Sequence, residues 1–246
     1  MLIAHKSFVV LACLPLTFAG LSLRAAEPNA LTDAEKSAGW KLLFDGKSTD
    51  GWRTYKKQDV NPGWKVESGE LVCADPSKAK DLLSKDQYGA FELSLEYKMS
   101  PNSNSGVIFL GTEEEPTVWM TGPEVQLFDN NQPTGAGHES QLAGWLYQLY
   151  QPVADPKTGK PTDATKPAGE WNELRLLVTP EKGEVKINGV KYYDFVIGSQ
   201  DWNDRVAKSK FGPMQKFAKA KTGHIALQGD HGQVAFRNIK IRPISN

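Results

Sequence analysis

Short segments of alternating apolar and polar residues run along most of the chain. The clearest is FELSLEYKM, in which Phe91, Leu93, Leu95 and Tyr97 alternate with charged or small polar residues. A period of two places one side of a strand in the core and the other side in solvent. Helical periodicity is largely absent between the Gly, Pro, Asn and Asp clusters that separate these segments. The pattern therefore predicts an all-β fold.

The turn signals indicate how these strands pair. An Asn188-Gly189 pair in EVKINGVKYYDF is typical of a two-residue hairpin between antiparallel strands. Many strands of this kind without intervening helices favour a jelly-roll sandwich of two antiparallel sheets over an α/β fold.

Two long loops and two short helices are expected to interrupt the strands. Residues 130–144 and 153–169 are rich in turn-forming residues, and long loops on a rigid sandwich usually shape a binding site. A Thr cap ahead of Glu35 predicts one helical turn within residues 31–37. Residues 199–221 are expected to form a short helix on the sandwich edge or a core-covering loop, because three apolar side chains there have helical spacing: Phe211, Met214 and Phe217.

The first 26 residues have the pattern of a signal peptide. Lys6 precedes an apolar stretch over residues 8–23, and small residues follow. The stretch is short and terminal for a membrane span, so a transmembrane anchor and a lipid attachment at Cys13 are the lesser alternatives. We therefore expect a single mature domain over residues 27–246 that is periplasmic or secreted. Its one remaining cysteine, Cys73, excludes an internal disulfide.

Charge limits the class of partner. The chain has 29 basic and 29 acidic residues and no basic stripe. Nucleic acid and anionic membrane surfaces attract strongly basic proteins, so neither is an expected partner. Neutral ligands fit this composition better.

Sequence motifs in a characteristic order cover most of the chain. They are LFDGKSTDGW (43–52), WKVESGELVC (64–73), NSGVIFL (104–110), EVQLFD (124–129), LYQLYQP (146–152), PAGEWNELRL (167–176), KINGVK (186–191) and GHIALQGDHGQVAFRNIKIRP (223–243). In these motifs the chain resembles the 3-keto-disaccharide hydrolase domain family. The resemblance implies a concanavalin A-like lectin and glucanase sandwich that acts on glycosides already oxidised at C3.

The EVQLFD strand carries the first candidate site residues. Side chains two apart on a strand share a face, so Glu124 and Gln126 point together, and Asp129 follows at the strand's end, where a bulge would turn it inward. The pattern is similar to the E-x-D-x-x-E strand of laminarinase-type glucanases. Glutamine cannot transfer a proton, which puts ordinary two-carboxylate hydrolysis in doubt. The alternative is that Glu124 and Gln126 line a solvated face.

The end of the chain gathers further polar side chains around one Gly-Asp-His-Gly turn. They are Gln228, Asp230, His231 and Arg237. A buried polar group without a partner costs about 1–3 kcal/mol, so such a cluster indicates a site. The alternatives are a turn histidine bonded to its own backbone, and an Arg237 ion pair with Asp230 or Glu124.

The implied chemistry needs one base and donors for an enolate. A ketone at C3 acidifies the hydrogen at C2, a base removes it, the group at C1 leaves, and water adds afterwards. Glu124 or His231 is the candidate base, and Arg237, Gln126 and Gln228 are candidate donors. Direct hydrolysis is the alternative.

A divalent metal is left open as a Lewis acid. Asp129, Glu124, His231 and Asp230 offer ligand atoms, but their spacing is not that of a known metal motif. His138 lies in the long loop, where a surface histidine is the ordinary interpretation.

Aromatic side chains complete the candidate site. Trp145, Tyr147 and Trp171 fall in loops or at strand ends, where flat rings stack on sugars, although a loop tryptophan can also simply cap the sandwich. Trp52 and Trp64 are expected in the core.

The chain departs from the family pattern at two places. Leu110 stands where an arginine is expected, and Gly144-Trp145-Leu146-Tyr147 stands where Gly-Ala-Tyr is usual. These departures predict different substrate contacts. A non-catalytic carbohydrate-binding module on the same fold is the rival interpretation. An upstream glycoside 3-oxidoreductase is the expected functional partner of an enzyme.

Overall fold

The computed structural model describes residues 27–132 and 139–244, and strands dominate them. The strands are β1 Lys41–Leu42, β2 Trp52–Thr54, β3 Trp64–Glu67, β4 Glu70–Cys73, β5 Leu82–Tyr88, β6 Phe91–Met99, β7 Asn104–Gly111, β8 Glu124–Phe128, β9 Asn172–Val178, β10 Gly183–Ile187, β11 Val190–Phe195, β12 Gly223–Leu227 and β13 Val234–Pro243. The helices are α1 Asp33–Ser37, α2 Pro76–Ala79 and α3 Gln200–Lys208. Short 3-10 turns lie at Val118–Met120 and Glu139–Gln141.

The strands form two antiparallel sheets. The larger sheet has the order β11-β10-β9-β6-β13-β4-β3, with β1 paired to β13, and the smaller sheet has the order β2-β5-β12-β7-β8. Sequence neighbours β12 and β13 lie in different sheets, so the chain crosses between them near its end. The predicted all-β jelly-roll sandwich is confirmed.

The core lies between the sheets. From the larger sheet, Phe91, Leu93, Leu95 and Tyr97 of β6 are all buried, as their alternation predicts. Each such side chain contributes about 1.5–3 kcal/mol on burial. The smaller sheet adds the apolar residues that face them: Val107, Phe109, Val125, Leu127 and Leu227.

The two early tryptophans are buried, as expected. The Trp52 indole N–H donates to the Leu43 carbonyl at 2.7 Å, and that of Trp64 donates to the Lys80 carbonyl at 2.8 Å. A buried indole needs such a partner, because an unpaired N–H is costly. The second bond fixes the backbone just before β5.

The predicted hairpin and the first helix are present. Asn188 and Gly189 both have positive φ, 50° and 78°, as the β10–β11 turn requires. Helix α1 begins at Thr32, whose hydroxyl accepts from the Glu35 N–H while the Glu35 carboxylate accepts from the Thr32 N–H.

The helix expected within residues 199–221 lies earlier than the sequence pattern suggested. Ser199 caps α3, which ends at Lys208, and Phe211, Met214 and Phe217 follow in turns. Gly212 precedes Pro213, and a residue before proline is disfavoured in the helical region. The apolar spacing instead lets the Phe211 and Phe217 rings stack at 4.0 Å.

The loop predictions are only partly open to test. Residues 153–169 contain no helix or strand beyond one isolated bridge, Ala154 to Pro161, as expected of a long loop. The loop at 130–144 is described only at its two ends, and His138 lies outside the described residues. The signal peptide predicted at residues 1–26 lies outside them as well. None of the described helices has the length and apolar character needed to cross a bilayer.

Candidate active site

The candidate site lies on the outer face of the smaller sheet. Val107, Val125 and Leu227 point into the main core, so their strand neighbours point away from it. Ile108 and Ala226 accordingly belong to a separate apolar cluster on the outer face. The same alternation brings the polar residues of β8 and of the end of β12 to that outer face.

Glu124 is the most unusual of these residues. Its carboxyl group extends over Gly106 of β7, where an added Cβ would lie 1.8 Å from Oε1, so the glycine provides the space for it. The residue is 7% exposed, and Oε1 has no hydrogen-bond partner. Burial raises the pKa of Glu124 from 4.5 to about 8, against the opposing effect of Lys210. An unpaired buried carboxyl with a pKa near neutrality is typical of proton-transfer sites.

Gln126 shares this face with Glu124, as the sequence predicted. Its side-chain amide donates to Asn104 Oδ1 at 2.9 Å. Its backbone pairs with the segment at the end of the first long loop, donating to the Trp145 carbonyl at 2.9 Å and accepting from the Gly144 N–H at 2.8 Å. This segment covers the edge of β8 and closes one side of the site.

The aromatic residues of the covering segment take two different positions. Tyr147 donates its backbone N–H to the Glu124 carbonyl, which places Tyr147 beside the candidate carboxyl. Trp145 lies next along, beside Gln126, and borders a cavity of about 400 Å³ that Asp163 also lines. Its indole N–H is buried without a partner. Both residues therefore lie on the segment that covers the edge of β8, and their contact with substrate stays a prediction.

Lys210 is a site residue that the sequence analysis missed. Its ammonium lies 4.3 Å from the ring centres of both Trp119 and Tyr147 and 5.2 Å from that of Phe211. Within residues 27–132 and 140–244 no carboxylate lies within ion-pair distance of it. Burial lowers the pKa of Lys210, and the charge of Glu124 opposes that change. Aromatic faces thus hold a cation close enough to act on Glu124.

Asp230 and His231 form a bonded pair in the turn after β12. Because the Asp230 carboxylate accepts from Nδ1, the Nε2 atom of the half-exposed imidazole stays available. This bond raises the pKa of His231 and lowers that of Asp230. His231 also acts on the pKa of Glu124, so the two predicted catalytic residues share one electrostatic neighbourhood. The partner of His231 is a side chain and not its own backbone.

Gln228 lies beside this pair and next to Gly106. Its backbone N–H donates to the Gly106 carbonyl at 3.0 Å, and its carbonyl accepts from Ser105 Oγ at 2.8 Å. Its side chain follows Ala226 on the outer face, two residues along the strand. Gln228 therefore joins Glu124 and Gln126 around the space that Gly106 leaves open.

Asp81, directly before β5, is a second buried carboxyl with an unpaired oxygen, and the sequence did not predict it. It is 9% exposed and its Oδ1 has no partner. Burial raises the pKa of Asp81 from 3.8 to about 6, the charge of Asp230 adds to the rise, and a bond from the Gly229 N–H opposes it. The like charge of Asp81 in turn raises the pKa of Glu124.

Comparison with known proteins identifies the family of this chain. Residues 39–242 match the 3-keto-alpha-glucoside-1,2-lyase-like domain family. The chain belongs to this family. It is 31% identical to the 3-keto-disaccharide hydrolase of Bacteroides thetaiotaomicron, over 90% of this chain and 84% of that protein. The resemblance inferred from the motifs is therefore confirmed.

Solved structures support the same relationship. A protein of Parabacteroides distasonis assigned as a glycosyl hydrolase is 31% identical, with a TM-score of 0.79 over 89% of this chain and 100% of its own. A second one from that organism is 27% identical, with a TM-score of 0.64 over 83% of this chain and 99% of its own. As a member of the 3-keto-alpha-glucoside-1,2-lyase-like family, the chain is a carbohydrate-active enzyme.

Two predicted substrate-binding residues of this family member lie on the other sheet. Arg237 of β13 donates from Nε to Glu96 at 2.6 Å, and its guanidinium stacks 4.1 Å from the Trp171 ring. The Lys98 ammonium lies 4.5 Å from the same ring. Phe236 and Tyr97, the strand neighbours of these residues, face the core. The outer face of the larger sheet or its border therefore carries all four of them: Arg237, Glu96, Trp171 and Lys98. The structure therefore does not bring Arg237 and Trp171 to Glu124, and the expected partner of Arg237 is corrected to Glu96.

Asp129, directly after β8, binds the loop that joins β6 and β7. Its carboxylate accepts the Asn102 N–H at 3.0 Å and the Asn131 N–H at 3.2 Å. These bonds turn it toward the backbone, so the expected inward turn toward the site is not seen. Across residues 27–132 and 140–244, no group of three or more His, Cys, Asp or Glu side chains is arranged to hold a metal ion.

Proposed function

We propose that the protein cleaves the glycosidic bond of 3-keto-glycosides by elimination followed by hydration. Family membership and the relative named 3-keto-disaccharide hydrolase support this substrate class. The observation that carries the chemistry is the Glu124 carboxyl, which is buried and unpaired above Gly106 on the outer face of the smaller sheet.

Glu124 is the base of the elimination step. In its ionised form it removes the proton from C2, which the C3 ketone has acidified. The C2–H electron pair becomes the C1=C2 double bond, and the C1–O bond breaks. A pKa of about 8 leaves a fraction of Glu124 ionised at neutral pH and makes that fraction a stronger base than an ordinary glutamate.

His231 supplies the proton for the departing alcohol. The sequence left the base open between Glu124 and His231, and the bond to Asp230 supports the role of acid for His231. Because the Asp230 carboxylate raises the pKa of His231, the imidazole holds its second proton more firmly and serves as a donor at neutral pH. Nε2 of the half-exposed ring is the atom that donates.

Cationic and amide groups balance the charge of the enolate. The Lys210 ammonium is held by aromatic rings in place of a carboxylate, so its charge is not neutralised by an ion pair among the described residues. The side-chain amides of Gln126 and Gln228 are further donors on the same face. Donors fixed before the reaction stabilise a developing oxyanion without reorganisation.

The cellular setting follows from the same proposal. The signal-peptide pattern of residues 1–26 supports a periplasmic or secreted enzyme. A glycoside acquires its C3 ketone by oxidation, so a glycoside 3-oxidoreductase must supply the substrate.

Substitution of Glu124 tests the proposal. With a chromogenic 3-keto-glucoside, Glu124→Gln should lose at least 100-fold in turnover, the usual scale for a missing general base. Glu67→Gln, an exposed glutamate on β3 of the other sheet, is the matched control and should keep full turnover. Deuterium from D2O should appear at C2 of the product early in the reaction. Full turnover by Glu124→Gln would contradict the proposal, and a product without deuterium at C2 would favour direct hydrolysis.

A further inference from the structure

Asp81 is a buried carboxylate that takes no part in the proposed elimination step. Its Oδ1 atom has no partner, and no cation lies within ion-pair distance of it among the described residues. A structural aspartate in this position would be expected to accept several bonds, since an unpaired buried acceptor destabilises the fold. Asp81 accepts only the Gly229 N–H on its carboxylate.

The backbone around Asp81 is held in a strained conformation. Lys80, directly before it, has φ 61° and ψ 172°, a region normally occupied by glycine. Bonds on both sides fix this conformation: the Trp64 indole donates to the Lys80 carbonyl at 2.8 Å, and the Tyr55 N–H donates to the Asp81 carbonyl at 2.9 Å. Strain of this kind persists where the position of a side chain matters for function.

The strand register places Asp81 across the outer face from Glu124. Leu82 pairs with Leu227, so Asp81 lies beside Gln228, which in turn lies beside Gly106. Glu124 is on the next strand. Three strand spacings of about 4.8 Å separate the two backbones, and the Glu124 carboxyl extends inward above Gly106. Leu82 faces the core and Leu83 belongs to the outer cluster, so Asp81 points to the outer face as Glu124 does, with Gly106 and Gln228 between them.

We propose that Asp81 is a second catalytic carboxylate, which removes a proton from the water that adds at C1 in the hydration step. This inference rests on the proposed function. One O–H bond of the water breaks and its proton goes to Asp81 as the oxygen bonds to C1. The C1=C2 electron pair moves toward the C3 ketone, and Glu124, whose proton has exchanged with solvent, protonates C2. The proton on Asp81 then passes to solvent, and His231 regains from solvent the proton that it gave to the alcohol.

The test separates aglycone release from hydration. With a chromogenic 3-keto-glucoside, Asp81→Asn should release the aglycone within tenfold of the wild-type rate. The conjugated enone, followed by its ultraviolet absorbance, should accumulate because its hydration falls about 100-fold or more. Equal losses in both steps, or no loss in either, would overturn the role of Asp81. No release by the wild-type enzyme would instead refute the proposed function itself.

Controls distinguish catalysis from a structural role. Asp33→Asn, a substitution of a fully exposed carboxylate in α1, should behave as wild type. Asp81→Asn should unfold at the same temperature as wild type or higher, because it removes a buried charge. Asp81→Ala is the second variant, and added formate should restore hydration in it. Failure of formate to restore hydration in the folded variant would contradict the proposal.

The pH profile gives a further readout. The rate at which the wild-type enzyme hydrates the enone should rise with pH as Asp81 ionises. This rise should be absent in Asp81→Asn. The charged groups that act on Asp81 are Asp230, His231 and Lys80, and Glu124 lies across the same face of the sheet. If the hydration rate of Asp81→Asn still rises with pH, the rise belongs to one of these other groups, and the role of Asp81 is refuted.

Discussion

Replacing Glu124 with glutamine should remove a large pH dependence from the stability of the fold. In the unfolded chain Glu124 ionises near its ordinary pKa of 4.5, whereas burial holds its folded pKa at about 8. Between these values the folded state binds one proton more than the unfolded state, so stability falls as pH rises. Each pKa unit is worth 1.36 kcal/mol, so the total loss between pH 4.5 and 8 is about 5 kcal/mol, and about 3 kcal/mol is already lost at pH 7.

Urea unfolding of both proteins across this pH range measures the effect. Groups away from Glu124 titrate equally in wild type and Glu124→Gln, so the difference between their free energies of unfolding reports Glu124 and the two groups that its charge acts on, Lys210 and His231. That difference should move by about 5 kcal/mol in favour of the variant from pH 4.5 to 8 and be constant below pH 4.5. Glu67→Gln, with an exposed side chain, should run parallel to wild type throughout. Parallel curves for Glu124→Gln would refute the burial of an unpaired carboxyl.

Three further substitutions test the site's boundaries. Gly106→Ala would put a Cβ 1.8 Å from Glu124 Oε1, so turnover should fall at least tenfold; normal turnover would mean that the carboxyl lies elsewhere. Lys210→Met removes a charge that lowers the pKa of Glu124, so the Glu124 limb of the pH profile should move to higher pH; an unmoved limb would rule out that coupling. Arg237→Met breaks an ion pair with Glu96 on the other sheet, so it should lower the free energy of unfolding by about 1 kcal/mol or less at unchanged kcat/KM; a lower kcat/KM would return Arg237 to the site.

The sequence predicted those features that depend on neighbouring residues. Strand alternation is local, so the buried face of β6 and the shared face of Glu124 and Gln126 followed from a period of two. The Asn188-Gly189 turn is equally local, because it needs only positive φ at two adjacent residues.

The rest of the site depends on which strands pair, and local patterns do not contain that information. Asp81 approaches Glu124 only because β5, β12, β7 and β8 are neighbours in that order. Lys210 arrives from the turns after α3. Arg237 was wrongly predicted to lie in the site, because it is close to His231 in sequence. The chain changes sheets between β12 and β13, which places Arg237 on the outer face of the larger sheet.

The most direct test of the proposed activity is turnover of a chromogenic 3-keto-glucoside beside its unoxidised parent, with the protein lacking residues 1–26. Elimination requires the acidic C2 hydrogen that only the ketone provides, so the aglycone should be released from the keto compound alone. Equal release from both compounds would contradict the elimination chemistry. Release from neither, with sugar binding intact, would make the protein a carbohydrate-binding module.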